Sequence, residues 1–384
     1  MTPPADAMAE GFSLASLIPP GQRLTSKLRT QLQGQWRSTL AEHLYGDIPP
    51  PPQRMTVERL PLPDRGAEHL RLTFQQDDRQ FSVDAALWLP QDHSGPLPLI
   101  CGLDFVGPAG VLLSEAFPLD PAATIYTRPE LGADGTMTNT LRGTSAYRWP
   151  IPLLCEAGYA VLVSSYGSWA QDCAERWQGH GVAPLMGTDD RARALSLWAW
   201  AYLRLLDAAA TLPEVDGSRM AVAGHSRLGK AALWAAANDS RIRAVFANQS
   251  GCGGAAPARH RVGETLAQME ADYPHWTRPG NGQTAADDLP FDQHMLLASI
   301  APRAVYLACA EDDLWADPVG SYEALCCAST VWGIEDSWPH AAAMWSGKRP
   351  VVKGALGYHL RPGGHDLLPL DWRQALAFLS GQMG

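Results

Sequence analysis

Val222-Ala223-Gly224-His225-Ser226-Arg227-Leu228-Gly229-Lys230 is the stretch that decides the fold. Residues 220–223 in front of it form a short apolar run that predicts a buried strand. Residues 228–238 behind it, LGKAALWAAAN, are rich in Ala and Leu and predict a helix. A serine on a sharp turn between strand and helix is exposed at the top of a sheet, beside the first N–H groups of the helix. Such a serine is placed to act as a nucleophile, with donors nearby for a developing oxyanion. The turn departs from G-x-S-x-G, because Leu228 stands where a small residue is expected and the glycine comes one later, at Gly229. A strand–helix turn with an incidental serine would read the same way. Against that, Arg227 and Lys230 place two cations in the first helical turn. The macrodipole disfavours each there by about 0.3–1 kcal/mol, so an electron-rich group is expected to bind nearby.

Three segments carry a family resemblance: GHSRLGKAALW (224–234), NQSGCGGAA (248–256) and RHRVGET (259–265). They resemble the glucuronoyl esterases of carbohydrate esterase family 15 in their bacterial form, with the signature G-[CH]-S-R-x-G-K. The resemblance runs from about residue 36 to 372. It implies an α/β-hydrolase fold and cleavage of the ester between 4-O-methyl-glucuronic acid on xylan and a lignin alcohol.

The remaining pattern agrees with that class. Helical apolar spacing spans 24–44, and alternating stretches at 70–75 and 81–90 predict paired antiparallel strands. Buried strands are expected at 96–105, 160–166, 241–248, 303–310 and 352–360. A helix is expected at 188–210, where Thr188, Asp189 and Asp190 would supply cap-type and acidic residues and Trp198 and Trp200 would pack in the core. Strands alternating with helices predict a mainly parallel central sheet with helices on both faces. Residues 1–22 are expected to be a loose tail, 23–384 a single catalytic domain, and 115–150 a loop insertion shaping the site. The Gly/Pro loop at 106–110 is where this fold supplies a second oxyanion donor.

Of eleven histidines, His365 is the candidate base, in the tight loop Arg361-Pro362-Gly363-Gly364-His365-Asp366 after the last expected strand. His225 should point away from the serine beside it and is read as structural. The acid is sought after the strand at 303–310, in Glu311-Asp312-Asp313-Leu314-Trp315-Ala316-Asp317. A carboxylate there can fix the histidine tautomer. Asp313 is preferred, with Asp317 and Asp312 as alternatives. The D-x-W spacing of Asp313 and Trp315 matches a family pattern. Many members carry the acid instead after the strand that follows the elbow helix, where this chain has Gln249. By resemblance, Arg227 holds the oxyanion, Lys230 and Glu264 bind sugar hydroxyls, and Trp315 supports the ring. Trp276, Trp169 and His275 lie in no pattern that assigns them a role.

The net charge of −10 argues against nucleic acid or an anionic membrane as partner. No stretch approaches the roughly 18 apolar residues of a spanning helix. Seven cysteines without C-x-x-C spacing predict buried thiols, and no metal or cofactor is expected. A monomer acting on a glucuronate ester of glucuronoxylan and lignin is the expected state. The resemblance implies a periplasmic or secreted enzyme, although the start MTPPADAMAEGFSLASLIPPGQ lacks the features of a secretory signal. An esterase of the same fold acting on another acyl group, such as acetylxylan, and a catalytically weak carbohydrate-binding relative are the alternatives.

Overall fold

The structure is a computed structural model describing residues 13–62, 66–123, 137–189, 191–334, 338–347 and 349–384. It divides into two compact units, one of Asp47–Ala223 and one of Met1–Gly46 with Gly224–Gly384. The expected tail at 1–22 falls outside the described residues over its first twelve; beyond them Leu17 is buried. The expected insertion at 115–150 is described only at its two ends, and Asp190 is also outside the described residues.

In the Asp47–Ala223 unit the strands are β1 (Arg54–Leu60), β2 (Glu68–Gln76), β3 (Arg79–Trp88), β4 (Leu97–Asp104), β5 (Ala160–Ser165) and β6 (Val215–His225). They lie in the order β1-β2-β3-β5-β4-β6. β1, β2 and β3 form an antiparallel meander, β3 pairs antiparallel with β5, and β5, β4 and β6 run parallel. β2 and β3 are the strands expected at 70–75 and 81–90, whereas β1, which alternates in burial over Arg54–Glu58 before breaking at Arg59, was not expected from the sequence. β5 is buried along its whole length, as parallel strands covered by helices are. Gly102 on β4 permits this packing, since a Cβ there would meet the Trp149 ring at 1.9 Å.

The helix expected at 188–210 is Ala194–Ala209. It begins later because Asp189 turns on itself, its Oδ1 accepting the Arg191 N–H at 2.9 Å, and the helix has no side-chain cap. Trp198 and Trp200 are fully buried, and their indole N–H groups donate to Ala170 O and Pro50 O, each at 3.0 Å. The Tyr202 hydroxyl donates to Ala223 O at 2.9 Å and ties this helix to β6.

In the other unit β7 (Ile242–Asn248), β8 (Ala304–Ala310) and β10 (Leu356–Arg361) run parallel, with β9 (Val351–Lys353) as an antiparallel partner of β10. Asn248 is level with Ala308, and Ala310 with Arg361. The C-terminal ends of β7, β8 and β10 therefore lie side by side. Each hands the chain to a loop, at the position where open α/β sheets place their ligands. All seven cysteines are free.

The helix Gln293–Ala298 buries His294, whose Nε2 meets Ala15 O at 3.2 Å. Burial pushes its imidazole down to about 4. Between that value and the unfolded value of about 6.5 the unfolded chain binds a proton that the folded chain does not, so stability falls as pH drops through this window. Going from pH 7 to pH 5 is expected to remove about 2 kcal/mol through this group. Chemical denaturation of His294→Gln at both pH values should show a correspondingly smaller loss than the wild type.

Candidate active site

β6 ends at His225, and the helix Arg227–Asn238 starts without an intervening loop. Ser226 is left as the N-cap with φ 59° and ψ −128°. A non-glycine residue in such a conformation costs on the order of 1–3 kcal/mol and persists only where its surroundings impose it. Three contacts impose it here. The Ser226 N–H donates to Asn248 O at 2.9 Å, and the Ser226 carbonyl accepts from Gly229 N at 2.9 Å and Lys230 N at 3.2 Å. Close packing does the rest, because a Cβ on Gly224 would stand 2.2 Å from Leu228 O. One on Gly229 would stand 3.1 Å from both Gly224 O and Ser250 Cβ. Gly224 and Gly229 thus allow strand and helix to approach, and Leu228 in the usual small-residue position is no obstacle. The Ser226 side chain stays half-buried on this turn.

His365 and Asp313 come together from the loops after β10 and β8. His365 Nδ1 lies 2.6 Å from Asp313 Oδ2, with the carboxylate buried and the imidazole 35% exposed. A bond this short between imidazole and carboxylate is charge-assisted, and it orients the ring so that Nε2 is free for proton transfer. The alternative acids are placed differently. Asp317 caps the helix Pro318–Ala328 through the Gly320 N–H at 2.8 Å and meets His260 Nδ1 at 2.7 Å, both side chains being buried. Asp312 is exposed. His225 has its ring 4.6 Å from that of His365, while its Nδ1 lies 2.7 Å from Asn248 Oδ1. The residue read as merely structural therefore packs directly on the candidate base.

Gln249 is 1% exposed and adopts φ 47°, held by its N–H to Ala308 O at 2.7 Å. Its Oε1 accepts the Asp366 N–H at 3.0 Å. A glutamine keeps the acceptor of a carboxylate while dropping its charge, and here that acceptor anchors the histidine loop. A second anchor is Arg361, which is buried. Its guanidinium donates to Pro362 O, Gly364 O and Asp366 O at 3.0, 3.1 and 2.6 Å and to both oxygens of Asp371 at 3.0 Å. Asp371 in turn accepts the Leu368 N–H at 2.8 Å and meets His359 Nε2 at 2.8 Å. This buried charge is thus matched and its donors are satisfied.

The two cations of the elbow helix are held by different means. The Arg227 guanidinium lies 4.5 Å from the Trp276 ring centre and 5.3 Å from that of Tyr273. Those two rings stack with centres 3.9 Å apart and planes 6° from parallel. Cation–π attraction of about 0.5–2 kcal/mol offsets the unfavourable dipole position. Lys230 Nζ pairs with Glu264 Oε2 at 3.2 Å and also donates to Cys252 O, with both side chains at most 7% exposed. Glu264 does not cap its helix. Thr265 does so in a capping box with Gln268, and the Glu264 N–H donates to Trp315 O at 3.0 Å. Trp315 is 49% exposed, a large aromatic face left to solvent.

The chain matches the model of the fungal glucuronyl esterases over residues 143–334, half its length. It is 32% identical over 326 residues to the carbohydrate esterase MZ0003 of an unknown prokaryotic organism, covering 82% of this chain and 75% of that one. The chain belongs to the glucuronoyl esterase family, carbohydrate esterase family 15. A glucuronoyl esterase structure from Solibacter usitatus superposes with TM-score 0.84 at 30% identity, over 99% of this chain and 100% of that one. A promiscuous family-15 esterase from a marine bacterial metagenome gives TM-score 0.83 at 28% identity, over 98% and 99%. The 4-O-methyl-glucuronoyl methylesterase of Cerrena unicolor is 32% identical over 203 residues, 49% of this chain and 42% of that one. The protein is accordingly an α/β-hydrolase and a carboxylic ester hydrolase.

For a family member of this kind, sequence reasoning missed three supports of the site. Tyr273 and Trp276 are separated from Arg227 by more than forty residues, and nothing in their spacing announces a ring stack beneath a guanidinium. Arg361 could have been suspected, as a charge at the end of an apolar strand. The loop at 106–110 belongs to the Asp47–Ala223 unit, where Asp104 Oδ1 accepts the Val106 and Gly107 N–H groups at 3.0 and 2.9 Å and the helix Pro108–Val111 follows. Trp169 is buried in that same unit, its indole N–H donating to Ser164 Oγ at 3.0 Å. His275 is buried beside Trp276, with ring centres 6.3 Å apart.

The different environments of the aspartates lead to opposite expectations. Asp313→Asn should lower kcat by about 10⁴-fold with little change in Tm, since it leaves the wrong histidine tautomer. Asp317→Asn should lower Tm, because it weakens a cap and a buried pair, and should change kcat less than tenfold. Steady-state kinetics and thermal melts of the two variants side by side check both.

Proposed function

We propose that Ser226, His365 and Asp313 form the catalytic triad of an esterase acting on esters of glucuronic acid, with the 4-O-methyl sugar of glucuronoxylan as the acid and a lignin-type alcohol as the leaving group. The observation that carries this reading is the 2.6 Å contact of His365 Nδ1 with Asp313 Oδ2 in the unit that also holds Ser226 on its strained turn. Family membership supplies the reaction class.

In this mechanism His365 Nε2 takes the Ser226 proton as Oγ attacks the C6 carbonyl of the uronate ester. Asp313 stabilises the imidazolium that forms. The negative charge developing on the carbonyl oxygen is met by the N–H groups at the start of the elbow helix and by Arg227, which the aromatic stack holds in place. The bond from C6 to the alcohol oxygen then breaks, and the alcohol leaves with the proton from His365. Water repeats the sequence on the acyl-enzyme, releasing glucuronic acid and restoring Ser226. Lys230 and Glu264 together present a donor and an acceptor to sugar hydroxyls, and the exposed face of Trp315 suits the C–H side of a pyranose. The same reading has the enzyme working as a monomer with neither nucleic acid nor membrane as partner. The net charge of −10 supports it, and no helix among the described residues is long and apolar enough to cross a membrane.

Hydrolysis of benzyl glucuronate beside p-nitrophenyl acetate tests the proposal. Wild type should cleave the uronate ester, and Ser226→Ala should lose several orders of magnitude in kcat with its melting temperature retained. Cleavage of the acetate alone would move the protein to another acyl group, and more than a few per cent residual activity in Ser226→Ala would remove the serine from the mechanism. Lys230→Ala is expected to raise KM for the uronate ester about tenfold, the worth of one charged hydrogen bond, and to leave KM for the acetate unchanged. An equal rise for both esters would exclude Lys230 from sugar recognition.

A further inference from the structure

A cavity of about 310 Å³ lies wholly within the Asp47–Ala223 unit, bordered on one side by Val106 and Pro108 of the loop expected to supply an oxyanion donor. Its polar lining converges from five segments: Arg71 on β2, Asp84 on β3, Ser165 at the end of β5 with Ser168 just beyond, and Asp120 and His180 from two separate loops. Two of these groups are buried without a hydrogen-bond partner, the Ser165 hydroxyl and His180 Nε2. Ser165 is 5% exposed and stands at the N-cap of the helix Tyr166–Trp169, yet its hydroxyl makes no cap bond. Leaving such a group unmade costs about 1–3 kcal/mol, so a buried polar atom facing a cavity marks a place where something else supplies the bond. His180 Nε2 is 3.8 Å from Asp120 Oδ2, too far for a direct hydrogen bond and near enough for one oxygen to bridge them. Asp120 Oδ1 is engaged by the Ala122 N–H at 2.9 Å, which fixes the carboxylate.

The charges decide what class of molecule fits. Arg71 is held by Asp84 in a two-pronged pair at 2.9 and 3.0 Å, so its charge is already matched, and Asp120 adds a second carboxylate. The balance disfavours an anion, including a free uronate. Among the described residues no three His, Cys, Asp or Glu side chains gather as metal ligands, which leaves no built cation site. The lining also carries apolar side chains, among them Val106, Pro108, Phe117 and Pro118. Carboxylates that accept, serines and an imidazole that donate or accept, and apolar side chains are the complement of a ring bearing hydroxyls on its edge and C–H groups on its face. The volume is at the lower end of small-ligand sites, roughly 300–1,000 Å³, and suits a monosaccharide.

We propose that this cavity is a second carbohydrate site, binding one neutral pyranose through the Ser165 hydroxyl, His180 and Asp120. It does not depend on the esterase chemistry of Ser226. Because neutral glycosides carry no ester, the unmodified wild-type protein can be titrated with methyl β-D-xylopyranoside, methyl β-D-glucopyranoside and sodium glucuronate, read by saturation-transfer NMR and calorimetry. At least one neutral glycoside is expected to bind saturably with Kd on the order of 1 mM, and more tightly than glucuronate. Ser165→Ala and Asp120→Ala should each weaken that binding about fivefold or more, with Tm and the near-ultraviolet dichroism showing that both variants fold. Should Asp120→Ala fail to fold, the isosteric Ser165→Ala carries the test alone. Lys230→Ala should leave the binding unchanged. Absence of saturable binding up to about 50 mM, binding that Ser165→Ala leaves intact, binding lost in Lys230→Ala, or preference for glucuronate would each overturn the proposal.

Discussion

The left-handed turn at Ser226 is the constraint on which the rest of the site depends. A β-strand, a single residue with φ 59° and a helix follow one another without a spacer. That geometry exists only because Gly224 brings no Cβ against the Leu228 carbonyl and because Asn248 O takes the serine N–H. The strain is local, and the buried strand and helix on either side supply the energy to hold it. A side chain at Gly224 would force helix and strand apart and release the serine into an ordinary turn.

Holding the serine is only half of the construction, because the imidazole sits on a loop with no secondary structure of its own. Rigidity there comes from polar side chains instead of apolar packing. Arg361 spans three carbonyls of the loop and closes onto Asp371, while Gln249 takes the N–H of Asp366 from the other side. The Arg361 end of this network is fully bonded, whereas Gln249 uses its Oε1 and leaves its buried Nε2 without a partner among the described residues. Gln249 anchors the histidine loop with an uncharged acceptor. The acceptor that anchors the loop is present in glutamine and in a carboxylate alike, and the negative charge beside His365 comes from Asp313 on a different strand end.

The cations of the elbow helix illustrate two solutions to one electrostatic problem. Lys230 is paired with Glu264, so that site carries little net charge. Arg227 packs against aromatic faces, those of Tyr273 and Trp276.

Much of this was legible in the chain alone. The elbow serine, the histidine loop after the last strand, the aspartate two residues before Trp315, and most strands are consequences of local order: apolar runs of fixed length, a glycine at a forced turn, loops at strand ends. Such signals are written in neighbouring residues, and most strands fall within a residue or two of expectation, but the single strand expected at 352–360 is instead β9 and β10, an antiparallel pair folded back at Gly354. What only the tertiary structure decided concerns residues far apart in sequence. The choice of Asp313 over Asp317 follows from which carboxylate faces His365 and which is taken by His260 and a helix cap. The stack of Tyr273 and Trp276 under Arg227, the imidazole of His225 against the candidate base, and the span of Arg361 belong to the same kind. The start of the helix at Ala194 in place of 188 was settled by a local competition, Asp189 bonding to its own turn. Sequence determined the class of fold and the placement of the candidate serine and histidine, because those depend on backbone geometry that neighbours impose. Partnership among side chains was left to the folded chain, because a hydrogen bond or a cation–π contact depends on distance in space, which residue spacing does not encode.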